Sequence, residues 1–268
     1  MAFPGRERRT PPARSELIDA SALGTEARRA LLQRTHALEE EVFSSVEPFE
    51  AYATRVMSAQ QLWIWTLEDA GGRLVGYNVI VYDEHEHRGR PIGVYRANVA
   101  LRPEYRGHNR TVATGLRLAL PRLAREPRRR LYFYAFLLHP SIYVLMDKYA
   151  GTMWPRPRTD PPPPEALDLL AFLESRGAPP RWNASDPWVV RLDTSVAEDD
   201  EEIASWLRSE RPAARYFFQR NPHYRRGGAL VLLVPLTVTN LLRAVARVAA
   251  QRWRRPRNRF KAPSPGTA

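Results

Sequence analysis

Three arginines, Arg102, Arg106 and Arg110, flank a short polar loop between two predicted elements. Residues 93–101 before the loop are rich in Val, Ala, Tyr and Leu, which predicts a buried strand, and apolar residues from 112 onward recur at helical spacing. A loop that enters a helix directs unpaired backbone N–H groups and the positive end of the helix dipole at one point. With arginines beside it, such a point can bind a phosphate. The alternative is an ordinary turn with a solvated basic surface.

The composition predicts a folded protein and includes no cysteine. Hydrophobic residues make up 44% of the 268 residues and seven residues are Trp, which favours a globule over a disordered chain. The absence of cysteine excludes disulfides, a thiolate nucleophile and cysteine-ligated zinc. No apolar signal segment follows the N-terminal arginines, so the sequence predicts a cytoplasmic protein.

The elements around the loop follow a definite order. Periodicity predicts two helices, three successive antiparallel strands, the loop, a helix, a central strand and another helix. In chain order these are residues 25–43, 47–57, 61–67, 74–82, 93–101, 112–125, 130–138 and 141–149. They predict one domain that mixes helices with a sheet.

The run VALRPEYRGHNRT, residues 99–111, resembles the acetyl-CoA-binding motif of the GNAT family of N-acyltransferases. In that motif a strand and a proline-containing bend lead into Arg/Gln-x-x-Gly-x-Gly/Ala at the start of a helix. Arg106 matches the first position, while Asn109 and Thr111 stand where the family usually has small residues. The resemblance implies an α/β (α+β) fold of GNAT type, with a mixed, mostly antiparallel sheet and flanking helices.

The resemblance also implies the cofactor and its site. The co-substrate would be acetyl-CoA or another acyl-CoA, without a metal, and the acceptor an amine of unknown identity. The pantetheine arm would enter a V-shaped gap between two parallel strands, with walls at residues 98–101 and 135–139, and the first two helices would shape the acceptor site. The implied cofactor-binding residues are Val99, Ala100, Leu101, Arg106, Gly107, His108, Asn109, Arg110 and Thr111.

The family's usual acid for the departing thiolate is a Tyr in the helix after the second parallel strand. Alignment of the KYAG ending of that helix places Met146 at this position, and Met cannot donate a proton. Tyr143 and Tyr149 are the candidate replacements. The departure also leaves open a fold that binds acyl-CoA without turning it over, as a sensor or interaction module.

A base must take a proton from the amine, and three residues are candidates: Glu84, Glu104 and His139. His139 is the best placed, because it follows a central strand and a neutral imidazole accepts a proton at neutral pH. A histidine that merely ends a strand before a proline is the alternative.

The rest of the chain divides into an arm, an insertion and a tail. Residues 1–20 predict a flexible arm, residues 21–242 the GNAT-like domain, and residues 154–186 within it a proline-rich connector and a helix. Residues 214–228 predict an aromatic and basic loop, and residues 230–238 the last strand, in which Pro235 indicates an edge or a bulge. The loop predicted at residues 83–91 holds His85 and His87, which lack a third metal ligand nearby.

The C-terminal residues 243–268 carry eight of the basic residues and no Asp or Glu, within a formal net charge of +12. From residue 238 onward apolar residues recur at helical spacing, namely Val238, Leu241, Leu242, Val245, Val248, Ala249 and Trp253. The sequence predicts an amphipathic basic helix that either packs on the domain or lies on an anionic membrane surface. A nucleic-acid partner is disfavoured because no known binding motif is present. The sequence does not predict an oligomeric state.

Overall fold

A computed structural model describes residues 14–105, 110–157, 161–192, 194–197 and 200–257, with the backbone alone at residue 110 and residues 251–257. The strands are β1 Arg14–Asp19, β2 Phe43–Ser45, β3 Gln61–Glu68, β4 Leu74–His87, β5 Arg90–Leu101, β6 Arg130–Leu137, β7 Arg181–Asn183, β8 Asp186–Arg191, β9 Ser195–Val196 and β10 Gly228–Pro235. The α-helices are α1 Thr25–Val42, α2 Phe49–Met57, α3 Arg110–Arg125, α4 Pro140–Tyr149, α5 Pro164–Glu174, α6 Asp200–Leu207, α7 Pro212–Arg220 and α8 Val238–Arg257.

An eight-stranded sheet in the order β1-β3-β4-β5-β6-β10-β8-β7 forms the centre of the molecule. Its neighbouring strands pair antiparallel except β5 and β6, which pair parallel. The connection between those two strands contains α3, as a parallel crossover requires. The fold class predicted from the sequence, a mixed and mostly antiparallel sheet flanked by helices, is confirmed.

Helices cover both faces of the sheet. Helices α1 and α2 pack apolar residues on β3 and β4, and α5 packs its leucines on the neighbouring part of the same face; we call this the α1 face. Helices α3 and α8 pack on the opposite side, where Ala119 and Leu241 contact Tyr95 and Leu131; we call this the α3 face. Since side chains alternate along a strand, each residue of β5 and β6 belongs to one face or the other.

Helix α1 shows why the sequence forms these layers. Its buried side chains include Leu31, Thr35, Leu38 and Val42, which recur every three or four residues and line one side of the helix. The exposed positions between them are Gln33, Arg34, Ala37, Glu40 and Glu41, four of which are polar or charged. The helix therefore buries one stripe on the sheet.

Several segments differ from the sequence-based expectation. Residues 14–19, within the predicted arm, form the edge strand β1, because backbone pairing with β3 does not need a strong apolar pattern. The predicted loop at residues 83–91 is instead the end of β4, a tight hairpin and the start of β5. The predicted loop at residues 214–228 contains α7, whose Tyr216 and Phe217 are buried. Strand β10 lies between β6 and β8, and it accommodates Pro235 because this residue ends the strand.

The predicted insertion at residues 154–186 is part of the sheet and its cover. Trp154 forms an isolated antiparallel bridge with Leu233 of β10. Beyond it, α5 buries Leu169, Leu170 and Leu173 in the main core cluster, and β7 pairs with β8 as the last strand of the sheet. The segment therefore contributes both a helix and an edge to the domain.

Candidate active site

Strands β5 and β6 are paired at one end and separate at the other. Their parallel register contains only Ile92 with Arg130, Gly93 with Leu131, Val94 with Tyr132, and Tyr95 with Phe133. Beyond the last pair β5 continues to Leu101 along β4, and β6 continues to Leu137 along β10. We call the diverging segments, residues 96–101 and 134–137, the fork. A strand that leaves its neighbour turns backbone N–H and C=O groups toward the gap.

The fork opens toward the start of α3. Strand β5 ends at Leu101, a short 3-10 turn follows at Pro103–Tyr105, and α3 begins at Arg110. The first turn of a helix has N–H groups without an intrahelical partner. The order of strand, bend and helix, beside a parallel pair that separates, is the arrangement that the sequence resemblance implied.

The strand order and the separating parallel pair agree with the GNAT-like fold that the resemblance implied.

Residues 106–109 of the GNAT-type loop lie outside the residues that the structure describes, as does the side chain of Arg110. The predicted contacts of Arg106, Gly107, His108, Asn109 and Arg110 with a pyrophosphate therefore stay predictions. Thr111 lies in the first turn of α3.

Three further residues of the predicted cofactor site line the fork: Val99, Ala100 and Leu101. The side chain of Arg102, next in sequence, forms an ion pair with Glu41 of α1. Arg102 is therefore engaged by the domain itself.

The two faces of the fork differ in polarity. The register of β4 with β5 places Arg96, Asn98 and Ala100 on the α1 face, and that of β5 with β6 adds Tyr134 and Phe136. The residues on the α3 face of the fork are all small or aliphatic: Ala97, Val99, Leu101, Ala135 and Leu137. One gap in the sheet thus has a polar side and an apolar side.

A buried carboxyl group reaches the polar side of the fork from α1. Glu39 is 4% exposed, and the Tyr77 hydroxyl and the Asn98 Nδ2 both donate hydrogen bonds to its Oε1. Burial raises the pKa of Glu39 above its ordinary value of 4.5, although the two hydrogen bonds oppose part of that rise. Asn98 is itself a fork residue, so one hydrogen bond connects the carboxyl group to the gap. A carboxyl group with a raised pKa is suited to accept a proton during catalysis.

Tyr134 is the first residue of β6 beyond the last pair. Its side chain is buried, and its hydroxyl has no hydrogen-bond partner among the residues that the structure describes. Burial raises the pKa of Tyr134 and the negative charge of Glu174 adds to the rise, whereas the nearby Arg96 opposes it. An unsatisfied buried hydroxyl costs about 1–3 kcal/mol. Such a group suits a position where a water molecule or a ligand completes the hydrogen bonding.

The predicted base, His139, caps α4. Its Nδ1 accepts a hydrogen bond from the backbone N–H of Ser141 at 3.1 Å, and its Nε2 lies 3.7 Å from Glu202 Oε1 of α6. The ring meets Trp206 edge-on, with 5.6 Å between the centroids. A neutral imidazole that accepts through Nδ1 carries its proton on Nε2. The role of His139 as base stays a prediction.

The two predicted acids lie on α4 within the core. The Tyr143 hydroxyl donates a hydrogen bond to the carbonyl oxygen of Pro155 at 3.0 Å, and the ring stacks on Tyr216 of α7. Tyr149 is buried near the end of the helix, with the Lys148 ammonium group 5.1 Å from its ring centroid. Met146 is partly buried and packs against the main core. The roles of Tyr143 and Tyr149 also stay predictions.

The two other candidate bases, Glu84 and Glu104, lie in β4 and in the turn after β5, and their role as a base stays a prediction. Glu84 pairs with Gly93, at the end where β5 and β6 are still hydrogen-bonded, and it forms ion pairs with Arg122 and Arg129. His87, one of the two histidines of the segment predicted as a loop, has its Nε2 2.9 Å from Asp168 Oδ2 of α5. No group of three or more potential metal ligands occurs in the part of the chain that the structure describes.

The chain matches no protein-family model, and none of the curated proteins matches it at a significant level. Among solved structures, it is similar to a probable N-acyltransferase from Enterococcus faecalis V583, with 15% identity and a TM-score of 0.35, covering 52% of this chain and 33% of that one. The NatC complex bound to Gag peptide and CoA is similar at 16% identity and a TM-score of 0.35, covering 83% and 99%. The ribosomal-protein-S18-alanine N-acetyltransferase from Escherichia coli is similar at 11% identity and a TM-score of 0.34, covering 84% and 96%.

These likenesses are weak in both sequence and superposition. The strand order and the separation of β5 from β6 define the fold of this chain.

Sequence reasoning missed Glu39 and Tyr134 as functional candidates. Glu39 opens the run Glu39-Glu40-Glu41, which reads as a solvated helix surface. Its position was recoverable, because Thr35, Glu39 and Val42 share one side of α1 at a spacing of four and three residues. Tyr134 carries no such signal, since it lies in a nearly continuous run of apolar and aromatic residues.

Proposed function

We propose that this protein is an acyl-CoA-dependent N-acyltransferase that uses the fork as its active site. The observation that carries the proposal is the separation of β5 and β6 after Tyr95 and Phe133, with a buried carboxyl group, Glu39, hydrogen-bonded to one wall. The acyl donor is acetyl-CoA or a longer acyl-CoA, and the acceptor is an amine.

The two sides of the fork suit the two substrates. An extended pantetheine arm can lie between the strands, pairing its amide groups with backbone groups of residues 96–101 and packing its methylene groups against Val99 and Ala135. The pyrophosphate would lie at the start of α3, with Arg106 as its charged partner. The amine acceptor would then approach from the α1 face, where Asn98 and Tyr134 provide polar groups.

Glu39 is the proposed base. An ammonium group must lose a proton before its nitrogen can attack the thioester carbonyl, and a buried carboxylate with a raised pKa can accept that proton directly or through water. Asn98 and Tyr77 hold the carboxylate in position by donating to Oε1. The nitrogen then forms a bond to the acyl carbon, and the carbon–sulfur bond breaks. The second proton that the nitrogen loses passes to the departing CoA thiolate, directly or through water, which gives the amide and free CoA. His139 remains the alternative base at the end of β6.

The direct test is steady-state thiol release from a panel of acyl-CoAs with a panel of amines, including polyamines and peptides with free N-termini. We expect release that depends on both substrates. Calorimetric binding of CoA without turnover of any pair would favour the non-catalytic module instead. Absence of CoA binding would refute the proposal.

The loop is tested separately by charge reversal. We expect Arg106→Glu to weaken CoA binding by about tenfold or more, since it places a negative charge beside the pyrophosphate. Arg117→Glu is the matched control, because Arg117 is exposed on α3 beyond its first turn. Equal affinities for CoA in wild type and Arg106→Glu would remove the loop from the site.

A further inference from the structure

Helix α8 has two apolar stripes, and only one of them is buried. Leu241 and Ala244 are 3% and 7% exposed and pack toward the domain. Val238, Leu242 and Val245 are 58%, 59% and 38% exposed, and Ala249 is exposed as well. Positions 238, 242, 245 and 249 are spaced four, three and four apart, so they lie along one side of the helix. This exposed stripe faces away from the core.

The orientation of α8 on the domain is fixed by polar contacts at its start. The Asn240 Oδ1 accepts hydrogen bonds from the backbone N–H groups of Gly151 and Thr152, and its Nδ2 donates to the carbonyl oxygens of Thr152 and Pro235 at 2.8 and 2.7 Å. Arg247 donates to the carbonyl oxygen of Lys148 at the end of α4. The helix therefore presents its second stripe from a defined position and is not a loose tail.

The charged residues of α8 itself are all basic. Arg243 is exposed on α8, and residues 243–268 contain seven Arg, one Lys and neither Asp nor Glu. No helix in the described part of the chain is both long and apolar enough to cross a bilayer. An apolar stripe beside cationic residues has the chemistry of a helix that lies in the interface of an anionic bilayer.

We propose that α8 docks the protein on an anionic lipid surface, with its Leu241 face packed on the domain and its Leu242 face in the headgroup region. The exposed aliphatic residues enter the boundary between headgroups and acyl chains, while the arginines contact lipid phosphates. Charge complementarity favours the anionic lipid surface over a second copy of this chain, because two arginine-rich surfaces without acidic residues would repel each other.

The test is co-sedimentation of the full chain with phosphatidylcholine vesicles that contain or lack about one third phosphatidylserine, in low and high salt. We expect sedimentation with the anionic vesicles only, reduced by salt. The double variant Leu242→Ser/Val245→Ser should lose about tenfold or more in partitioning, because it removes the exposed apolar groups and leaves the buried stripe intact. Arg254→Gln/Arg255→Gln should lose about fivefold per charge removed.

Leu207→Ser is the matched control, since Leu207 of α6 is also 59% exposed. It should sediment like the wild type. Thermal unfolding checks that every variant is folded. Point variants are preferred to a truncation at residue 239, because the truncation would remove the contacts of Asn240 and Leu241 with the domain. Equal sedimentation of the wild type with both vesicle types would overturn the proposal. The proposal would also be overturned if the serine double variant bound vesicles like the wild type. It would likewise be overturned if the wild type did not bind vesicles but self-associated, and the double variant lost that self-association.

Discussion

The two faces of the fork are built from the same two strands but have opposite chemistry. On the α3 face, residues 97, 99, 101, 135 and 137 are all aliphatic or small. On the α1 face, Arg96, Asn98 and Tyr134 lie at the gap, and Glu39 reaches it from α1 through a hydrogen bond to Asn98. Alternation along a strand produces this difference without any change in the backbone path.

The difference between the two faces indicates that each face of the fork contacts a different substrate. The apolar face offers packing to a ligand but no proton acceptor, whereas the polar face contains a carboxyl group with a raised pKa and a buried hydroxyl without a partner among the described residues. In the proposed reaction the first face holds the acyl donor and the second receives the amine. Variants on the two faces should therefore affect different kinetic constants.

The largest effect is expected at Glu39. Glu39→Gln keeps the size and one hydrogen-bonding oxygen but cannot accept a proton, so kcat for thiol release should fall on the order of 10²-fold while the affinity for CoA is unchanged. Glu40→Gln is the matched control, because the neighbouring Glu40 side chain is 61% exposed. An equal loss in both variants would point to a general effect on α1 and against a proton transfer.

A smaller effect is expected on the apolar face. Val99→Asp introduces a charge where the pantetheine arm would pack, so the dissociation constant of CoA should rise about tenfold. The acceptor KM should change little, because the side chain at position 99 does not face α1. Isothermal titration calorimetry gives the dissociation constant of CoA, and steady-state kinetics gives the KM of the amine acceptor. A change in acceptor KM without a change in CoA binding would reverse the assignment of the faces.

Tyr134→Phe should change activity and stability in opposite directions. Removing a buried hydroxyl that lacks a protein partner should stabilise the fold by about 1 kcal/mol, and removing a contact to the acceptor should lower kcat/KM about fivefold. Urea unfolding and steady-state kinetics measure the two effects. Tyr132→Phe is the control on the same face, since Tyr132 pairs with Val94 where the strands are still joined. A destabilised Tyr134→Phe with full activity would make the hydroxyl purely structural.

The smallest effect concerns the pH dependence of stability. Burial raises the pKa of Glu39 in the folded state, so the folded protein binds this proton more tightly than the unfolded chain. The resulting stability is present below the ordinary pKa of 4.5 and is lost as the pH rises through the folded value. Urea unfolding at a series of pH values should therefore show a decline in the wild type that Glu39→Gln lacks. Parallel curves for the two proteins would show that the carboxyl group ionises normally.

The sequence predicted the two strands of the fork because their signals are local, and the resemblance implied the gap between them. Residues 93–101 and 130–138 have strong strand composition, Pro103 marks the end of the first, and the motif resemblance supplies the function of the gap between them. The polar side of the fork was not predicted, because Glu39 and Asn98 are 59 residues apart in sequence and meet only after α1 packs on β4 and β5. The contact between Glu39 and Asn98 is a tertiary contact, and the periodicity of residues within one helix or strand does not predict it.

The C-terminal helix gives the same lesson in another form. From the sequence, packing on the domain and exposure to a membrane are alternatives for α8. The sequence alone does not show which apolar residues of the helix face the domain and which face solvent. Asn240 fixes the rotation of α8, which buries Leu241 and exposes Leu242.

The pH profile of kcat/KM, measured on the wild type, Glu39→Gln and His139→Gln, tests the central claim most directly. If Glu39 is the base, the wild type should lose activity as the pH falls, with a midpoint above the ordinary pKa of 4.5 for a Glu side chain. That acidic limb should persist in His139→Gln and disappear from the residual activity of Glu39→Gln. An acidic limb that persists in Glu39→Gln and disappears in His139→Gln would assign the proton transfer to His139 and contradict the proposed role of the polar face.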